Sequence, residues 1–281
     1  MSTEDLSQWI GRTETLDDQV TQTPLKALAA TLDRNDPPVQ PGDAVPPCWQ
    51  WLYFLPIPPM SGVGSDGHPK RGGFLPPVPL PRRMWAGSRM SFHHSLQVGD
   101  AISRTSRIAN VTTKQGRSGT LVFVQVHHEI SDARGEAISE EQDIVYRDMP
   151  QPGDTPKPPM ARTDEEFSRR ITPDPVLLFR YSALTFNGHR IHYDRPYAMN
   201  EESYPGLVVH GPLIATLLID QLRRVHPGLV VKSYEFKAVS PLIDTAPFEV
   251  CGRLDGELAT LWARGADGQL AMQASATVAS V

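Results

Sequence analysis

Gly211-Pro212-Leu213-Ile214-Ala215-Thr216-Leu217-Leu218-Ile219-Asp220-Gln221-Leu222-Arg223-Arg224 reads as a helix that protein surrounds on most sides. Proline suits its first turn, where a missing amide removes no helical hydrogen bond. Arg223 and Arg224 face the negative end of the helix dipole, and Pro227-Gly228 closes the segment. Apolar residues fill most of the circumference, which is the pattern of a buried helix. Downstream come three short runs at residues 248–254, 257–263 and 269–278, the last two separated by the turn Gly265-Ala266-Asp267-Gly268. Leu258, Leu261 and Trp262 suit antiparallel strands with one face covered. A swallowed helix followed by a β-meander implies a sheet wrapped around a helix.

The same order occurs earlier in the chain. Thr23-Pro24 opens a shorter helix with Leu25, Leu28, Ala29 and Leu32 on one stripe. Leu96-Gln97-Val98-Gly99-Asp100 then parallels Ser240-Pro241-Leu242-Ile243-Asp244 and is followed by strand-like runs at 101–111, 120–130 and 136–146. The turn Asp132-Ala133-Arg134-Gly135 joins the last two. The repeat predicts an α+β chain with a double hot-dog fold, each unit a central helix wrapped by an antiparallel sheet. Prolines mark the joints. The chain holds 27 of them, clustered in 37–81 and again in 150–159. Proline removes amide donors and disfavours helix in the residue before it, so residues 151–166 read as an extended linker. This gives an N-terminal unit at 1–150 with a proline-rich insertion, and a C-terminal unit at 167–281. Within the insertion, Trp49-Gln50-Trp51-Leu52-Tyr53-Phe54-Leu55 suggests a packed strand or wall.

Composition excludes several classes of function. Over 281 residues, 40% hydrophobic and 21% charged content describe a globular protein. A net charge of −5 gives no general attraction to nucleic acid or anionic membranes. No run approaches the roughly 18–20 apolar residues that span a bilayer, and the polar, acidic residues 1–18 lack the marks of an export signal. Cys48 and Cys251 lie far apart with no metal-ligand cluster around them. A reducing, cytoplasmic setting and no metal are the expectations. Exposed sheet edges favour a homodimer.

The densest polar constellation is Ser182-Ala183-Leu184-Thr185-Phe186-Asn187-Gly188-His189-Arg190-Ile191-His192-Tyr193-Asp194, followed by Tyr204-Pro205-Gly206-Leu207-Val208-Val209-His210-Gly211-Pro212-Leu213. The pair resembles the R-specific enoyl-CoA hydratases of the MaoC-like hot-dog family, and more closely the branch of hydroxyacyl-thioester dehydratase type 2. There an Asp-x-Asn-Pro-x-His segment carries the catalytic acid and base, and a His-Gly pair opens the central helix. His192 falls on the family's histidine and Asn187 on its aspartate. His189 and Arg190 replace its asparagine and proline, and His210-Gly211 matches the second signature. No comparable spacing precedes the strands of the first half, so one active site per chain is expected, in the second unit.

The resemblance implies a hydro-lyase that adds water across an enoyl thioester. Coenzyme A is then part of the substrate and no separate cofactor is needed. The residue chemistry agrees. Histidine titrates near neutrality and can move both protons. The amide of Gly211, at the positive end of a buried helix, can hold an enolate-like oxygen. Asn187 cannot take a proton, but it can orient water. His192 is therefore the expected acid/base, Asn187 the water-positioning group and Gly211 the oxyanion hole. Arg190 and Arg83 are candidates for a substrate carboxylate or coenzyme A phosphates, with His189 and His210 as further substrate-binding candidates. A hydrogen-bonded packing role is the commoner case for such histidines, as a solvated or paired arginine is. Asp194 reads as a local cap, and His93-His94 and His127-His128 read as structural. Single chains of this kind resemble hydratases of branched five-carbon dicarboxylic thioesters, itaconyl-CoA or 3-methylfumaryl-CoA giving citramalyl-CoA. Competing readings are a hot-dog acyl-CoA thioesterase and a non-catalytic acyl-thioester-binding module. The first needs an attacking carboxylate that the Asn187/His192 pair lacks, and the second would leave the motif a relic.

Overall fold

A computed structural model of the chain describes residues 6–116, 119–149 and 157–280. Its strands are β1 (Thr13–Gln19), β2 (Arg82–Phe92), β3 (Ala101–Gly116), β4 (Gly119–Asp132), β5 (Gly135–Arg147), β6 (Phe167–Ile171), β7 (Leu229–Ala238), β8 (Phe248–Asp255), β9 (Leu258–Arg264) and β10 (Leu270–Ser280). They form one antiparallel 10-stranded sheet in the order β1-β3-β4-β5-β2-β7-β10-β9-β8-β6. The helices are α1 (Gln22–Thr31), α2 (Pro175–Leu184), α3 (Arg195–Asn200) and α4 (Gly211–Val225). The expected α+β double hot-dog is therefore present as two five-stranded halves of one sheet, joined where β2 pairs with β7 from Gly87↔Lys237 to Ser91↔Ser233.

α4 is the buried helix of the second half, with an unbroken run of buried residues from Leu213 to Leu222. It packs against β6 to β10. Leu213 and Leu218 are fully enclosed, and truncating either to alanine would cost about 2–5 kcal/mol through lost transfer and a residual cavity. Asp220 sits in this apolar setting because three guanidinium groups reach it. Arg224 Nε donates at 2.7 Å, Arg169 Nη2 at 2.8 Å, and Arg34 pairs with it from the first half.

Several details depart from the sequence expectations. α1 starts at Gln22 with Thr21 as N-cap, ahead of Thr23-Pro24, and packs on α2 rather than lying wrapped in its sheet. Residues 49–55 are a packed wall, but Trp49–Leu52 is a 3-10 helix, not a strand. Of the expected linker, residues 151–156 lie outside the described residues. The remainder is tied down: Leu270 N donates to Pro159 O at 2.8 Å, Ala161 N to Gly268 O at 2.9 Å and Glu166 N to Gly252 O at 2.9 Å. Each proline in that stretch lacks a donor, so its neighbours supply the bonds. The sequence reading also missed β1, β2, β6 and β7, and with them the seam between the halves.

Candidate active site

The segment after α2 folds back on itself because its side chains bond their own backbone. Phe186, with φ 49°, ends the helix in the left-handed region. Asn187 N then donates to Ser182 O at 2.8 Å, and Asn187 Oδ1 accepts from His189 N at 3.0 Å, a local turn of the kind asparagine favours. The 3-10 helix Arg190–His192 follows. Asp194 ends it, accepting from Tyr197 N at 3.2 Å as the cap of α3 and pairing with Arg190 Nη2 at 2.7 Å. The expected capping role of Asp194 is what the structure shows.

His192 points inward and is 7% exposed. Its Nδ1 lies 2.7 Å from Val208 O. A carbonyl only accepts, so Nδ1 carries the hydrogen and Nε2 is left with a bare lone pair. Burial pushes its pKa down to about 4, against a smaller upward pull from that hydrogen bond. The ring is therefore neutral at pH 7 and has one nitrogen ready to accept a proton.

His210 is the N-cap of α4 and lies stacked on His192, centroids 3.7 Å apart and planes 20° apart. Its Nε2 is 2.8 Å from Ser182 Oγ, while its buried Nδ1 has no hydrogen-bond partner among the described residues. Burial and the neighbouring histidines hold its pKa well below the usual range. Fully enclosed, His210 lies against the ring of His192, the packing arrangement named above as the commoner case for such a histidine. Gly211 is the first residue of α4, so its amide has no carbonyl partner within the helix and points at the positive end of the dipole. A Cβ at 211 would meet Trp85 O at 3.8 Å, an ordinary contact.

His189 faces the other side of His192, ring centroids 5.4 Å apart and nearly perpendicular. Its own ring packs at 4.0 Å against His68, a residue of the proline-rich insertion. His68 Nδ1 is 3.0 Å from Asp66 Oδ2, and His68 N donates to Asp66 Oδ1 at 3.0 Å. The loop is clamped to the catalytic segment: Arg190 N donates to Asp66 O at 2.9 Å and Arg190 Nη1 to Ser65 O at 3.0 Å. Gly67 has φ +87°, and a methyl group there would overlap the carbonyl oxygen of Gly188. Among the described residues, only Asp66, His68 and His189 bring three ligand-type atoms within 4.8 Å of one another. The Asp66–His68 hydrogen bond accounts for two of the three, and His189 joins them through its ring packing on His68.

The loop lines a cleft of about 820 Å³ together with Arg71, Arg83, Arg190 and Tyr197. Arg190 is committed, to Asp194, to Ser65 O and to the ring of Tyr197 at 4.1 Å. That corrects the expectation of a free Arg190 guanidinium. Arg82 is buried against Glu202 and Arg195 pairs with Asp244. Arg83 differs: among the described residues it forms no ion pair, and its charge bears on both His68 and His189. The structure thus groups His192, Gly211, His189 and Asn187 as the sequence suggested. It adds Ser182 and Val208, which lie inside the two quoted segments without a role being read for them, and Asp66 and His68, whose stretch Gly64-Ser65-Asp66-Gly67-His68-Pro69 is polar and turn-rich amid prolines. His93 and His94 lie beside Glu136 and Asp132, His127 beside Glu129, and His128 binds Ser106, away from this row.

Comparisons with known proteins bear on the family and the fold. The family model for hydroxyacyl-thioester dehydratase type 2 matches residues 48–244. A mesaconyl-C(4)-CoA hydratase of Chloroflexus aurantiacus is 48% identical over 276 residues, covering 98% of each chain. A MaoC-like dehydratase from Phytophthora capsici superposes with TM-score 0.70 at 13% identity, covering 96% of each chain. A Mycobacterium tuberculosis protein described as a double hotdog fold superposes with TM-score 0.58 at 12% identity, over 96% of each chain.

Proposed function

The chain belongs to the hydroxyacyl-thioester dehydratase type 2 family, and on that premise we propose that it hydrates the enoyl thioester of a branched dicarboxylic acyl-CoA, 3-methylfumaryl-CoA, to citramalyl-CoA. The observation that carries the chemistry is the state of His192: buried, neutral, with Nδ1 held by Val208 O and Nε2 bare beside the start of α4. Nε2 takes a proton from water while the water oxygen bonds to the β carbon. The π pair moves to the α carbon and thioester oxygen, where the Gly211 amide stabilises the charge. A proton then bonds to the α carbon. Asn187, its Oδ1 engaged by His189 N, has its amide nitrogen left to hold the water.

The acyl group follows from connectivity and from the relative's name. Mesaconyl-C(4)-CoA carries its thioester on the carboxyl remote from the methyl-bearing carbon, which is the 3-methylfumaryl connectivity. In that compound the double bond is conjugated with the thioester, as enolate stabilisation requires. In itaconyl-CoA, with its thioester on the carboxyl remote from the methylene, the double bond lies one carbon further out. The free carboxylate of 3-methylfumaryl-CoA is bonded to the β carbon itself. Its counter-charge must therefore sit close to the histidine row, because an unpaired carboxylate in a buried pocket costs several kcal/mol. Arg83, without an ion pair and beside His68 and His189, suits that position better than the committed Arg190.

The test is turnover of 3-methylfumaryl-CoA, itaconyl-CoA and crotonyl-CoA, followed by loss of enoyl-thioester absorbance and by free thiol. Hydration of 3-methylfumaryl-CoA without thiol release is expected. Thiol release instead would make the protein a thioesterase, and inertness toward all three would refute the reading. His192→Ala should lower turnover by about 10²–10⁴-fold with the fold retained. Arg83→Met should lose activity selectively on the dicarboxylic thioester, by roughly 1.5–3 kcal/mol, and Arg190→Met should not.

A further inference from the structure

Two proton transfers are required in hydration, and the family's carboxylic acid is replaced here by Asn187, which cannot supply a proton. We propose that Asp66 and His68, brought into the site by the proline-rich insertion of the first half, form its second proton-transfer group, with His68 Nε2 protonating the α carbon. The proposal rests on the hydratase reading above and deepens it.

The geometry is that of an oriented histidine. Asp66 grips His68 twice, Oδ2 at 3.0 Å from Nδ1 and Oδ1 accepting from the backbone N–H at 3.0 Å. With Nδ1 bound to a carboxylate, the tautomer and ring direction are fixed, and Nε2 is the nitrogen free to exchange a proton. The loop is not a loosely placed strap. Val63 bridges to Pro69, Gly64 N donates to His68 O at 2.7 Å, and Arg190 N donates to Asp66 O at 2.9 Å, so backbone hydrogen bonds tie the loop to the catalytic segment. The His68 ring packs 4.0 Å from His189, whose ring is 5.4 Å from His192. His68 and His192 can be no further apart than those separations laid end to end. A base acting through water at the β carbon and an acid at the α carbon, each at a contact of roughly 3 Å, bracket a double bond within that span. His68 also lines the cleft where Arg83 lies, and only about a fifth of its side chain is exposed.

Protons balance over one turnover. His192 Nε2 gains the proton that water loses, the C–O bond forms, and the π pair becomes the thioester enolate. The enolate takes the proton of His68 Nε2–H, forming the Cα–H bond. His192 then passes its extra proton back to His68 through the intervening His189 ring or solvent. Burial above all, with Arg83 and Arg71 as opposing charges, holds the His68 pKa below the usual histidine value despite the pull of Asp66, and the ring of His189 completes its surroundings. A substrate carboxylate at Arg83 offsets one of the opposing charges.

The experiment uses the full-length protein with 3-methylfumaryl-CoA, comparing wild type, His68→Gln, Asp66→Asn and His192→Ala across pH 5–9. Wild-type kcat should fall as pH rises through the lowered pKa of His68, giving an alkaline limb that begins below the usual histidine value. His68→Gln should lower kcat by about 10²–10³-fold, change KM by no more than about twofold, and remove the alkaline limb. Asp66→Asn should lower kcat less and move that limb to lower pH, since losing the carboxylate makes His68 harder to protonate. A merely structural loop would leave the limb in place. Should His68→Gln fail to fold, Asp66→Asn reads the same limb. A His68→Gln protein with wild-type kcat and pH profile, or a limb unmoved by Asp66→Asn, overturns the proposal. Those results beside an inactive His192→Ala remove only the dyad, whereas wild-type inertness removes the hydratase reading itself.

Discussion

Keeping His192 neutral has a cost that acid should expose. In the unfolded chain its pKa is about 6.5, and in the folded protein burial pushes it down to about 4. A depressed folded value means the unfolded chain binds more protons between those two values. The stability present above the unfolded pKa is therefore lost as pH falls toward the folded one. The full shift amounts to roughly 3 kcal/mol at about 1.4 kcal/mol per pH unit, of which about 2 kcal/mol is already lost at pH 5. Other buried histidines, His128 and His210 among them, add slopes of the same sign, so wild type alone does not isolate the effect. His192→Asn does, since the asparagine amide nitrogen takes the place of Nδ1 as donor to Val208 O and carries no titrating group. Urea denaturation of both proteins at pH 7, 6 and 5 should show the stability difference between them shifting by about 2 kcal/mol in favour of the variant. A difference constant to within about 0.5 kcal/mol across that range would mean His192 is not held neutral by burial. The proposed base would then lose its physical footing. The acid limb of wild-type kcat/KM should sit near pH 4, well below that of a solvent-exposed histidine.

Three further outcomes follow from particular contacts. Gly67→Ala must relieve both a left-handed φ and overlap with Gly188 O; it should destabilise by about 1–3 kcal/mol and lower kcat, read by thermal melts and turnover. Asn187→Asp can keep the turn to His189 N while adding a negative charge beside the histidines, so activity should stay within about tenfold and the acid limb should move to higher pH. A profile that does not move would place residue 187 away from His192. Asp220→Asn leaves Arg34, Arg169 and Arg224 around a neutral group in the core, and should cost about 3–5 kcal/mol in urea titration.

How much of this was legible in the sequence depended on whether the signal was local. α4 announced itself through its apolar circumference and Gly211-Pro212 start, and the two meanders through alternation and glycine turns. The Asn187–His192 and His210-Gly211 elements are contiguous, so their resemblance to a family signature was visible in the sequence. α2 was hidden because its surface carries Val176 and Phe179 at 64% and 61% exposure, which blurs the helical stripe. β2 was hidden because its register with β5 shifts between Trp85 and Gly87, breaking the period of two at the strand that joins the halves. Arg190 looked like a substrate ligand because sequence cannot show that Asp194, four residues on, has already paired with it. Asp66 and His68 lie more than a hundred residues from His189 in a stretch dominated by proline. Only tertiary contact brings them to the site.

That contact bears on why the first half retains its insertion although it carries no Asn187–His192 segment of its own. Burial serves the site in two ways: it keeps the His192 lone pair bare at neutral pH, and it strengthens the Gly211 amide for an enolate oxygen by lowering the local dielectric. Both halves contribute to it. α4 covers His210 from beneath, but the outer side of His189 is closed by His68 and the loop behind it. Removing that cover would let water reach the histidine row, raise the pKa of His192 toward its ordinary value and weaken every dipole aimed at the substrate. The proline-rich insertion is therefore better understood as the second wall of the active site than as a spacer. With φ fixed at each proline and few amide donors to satisfy, it holds a wall in place with no more regular structure than the short 3-10 turns Trp49–Leu52 and Met60–Gly62.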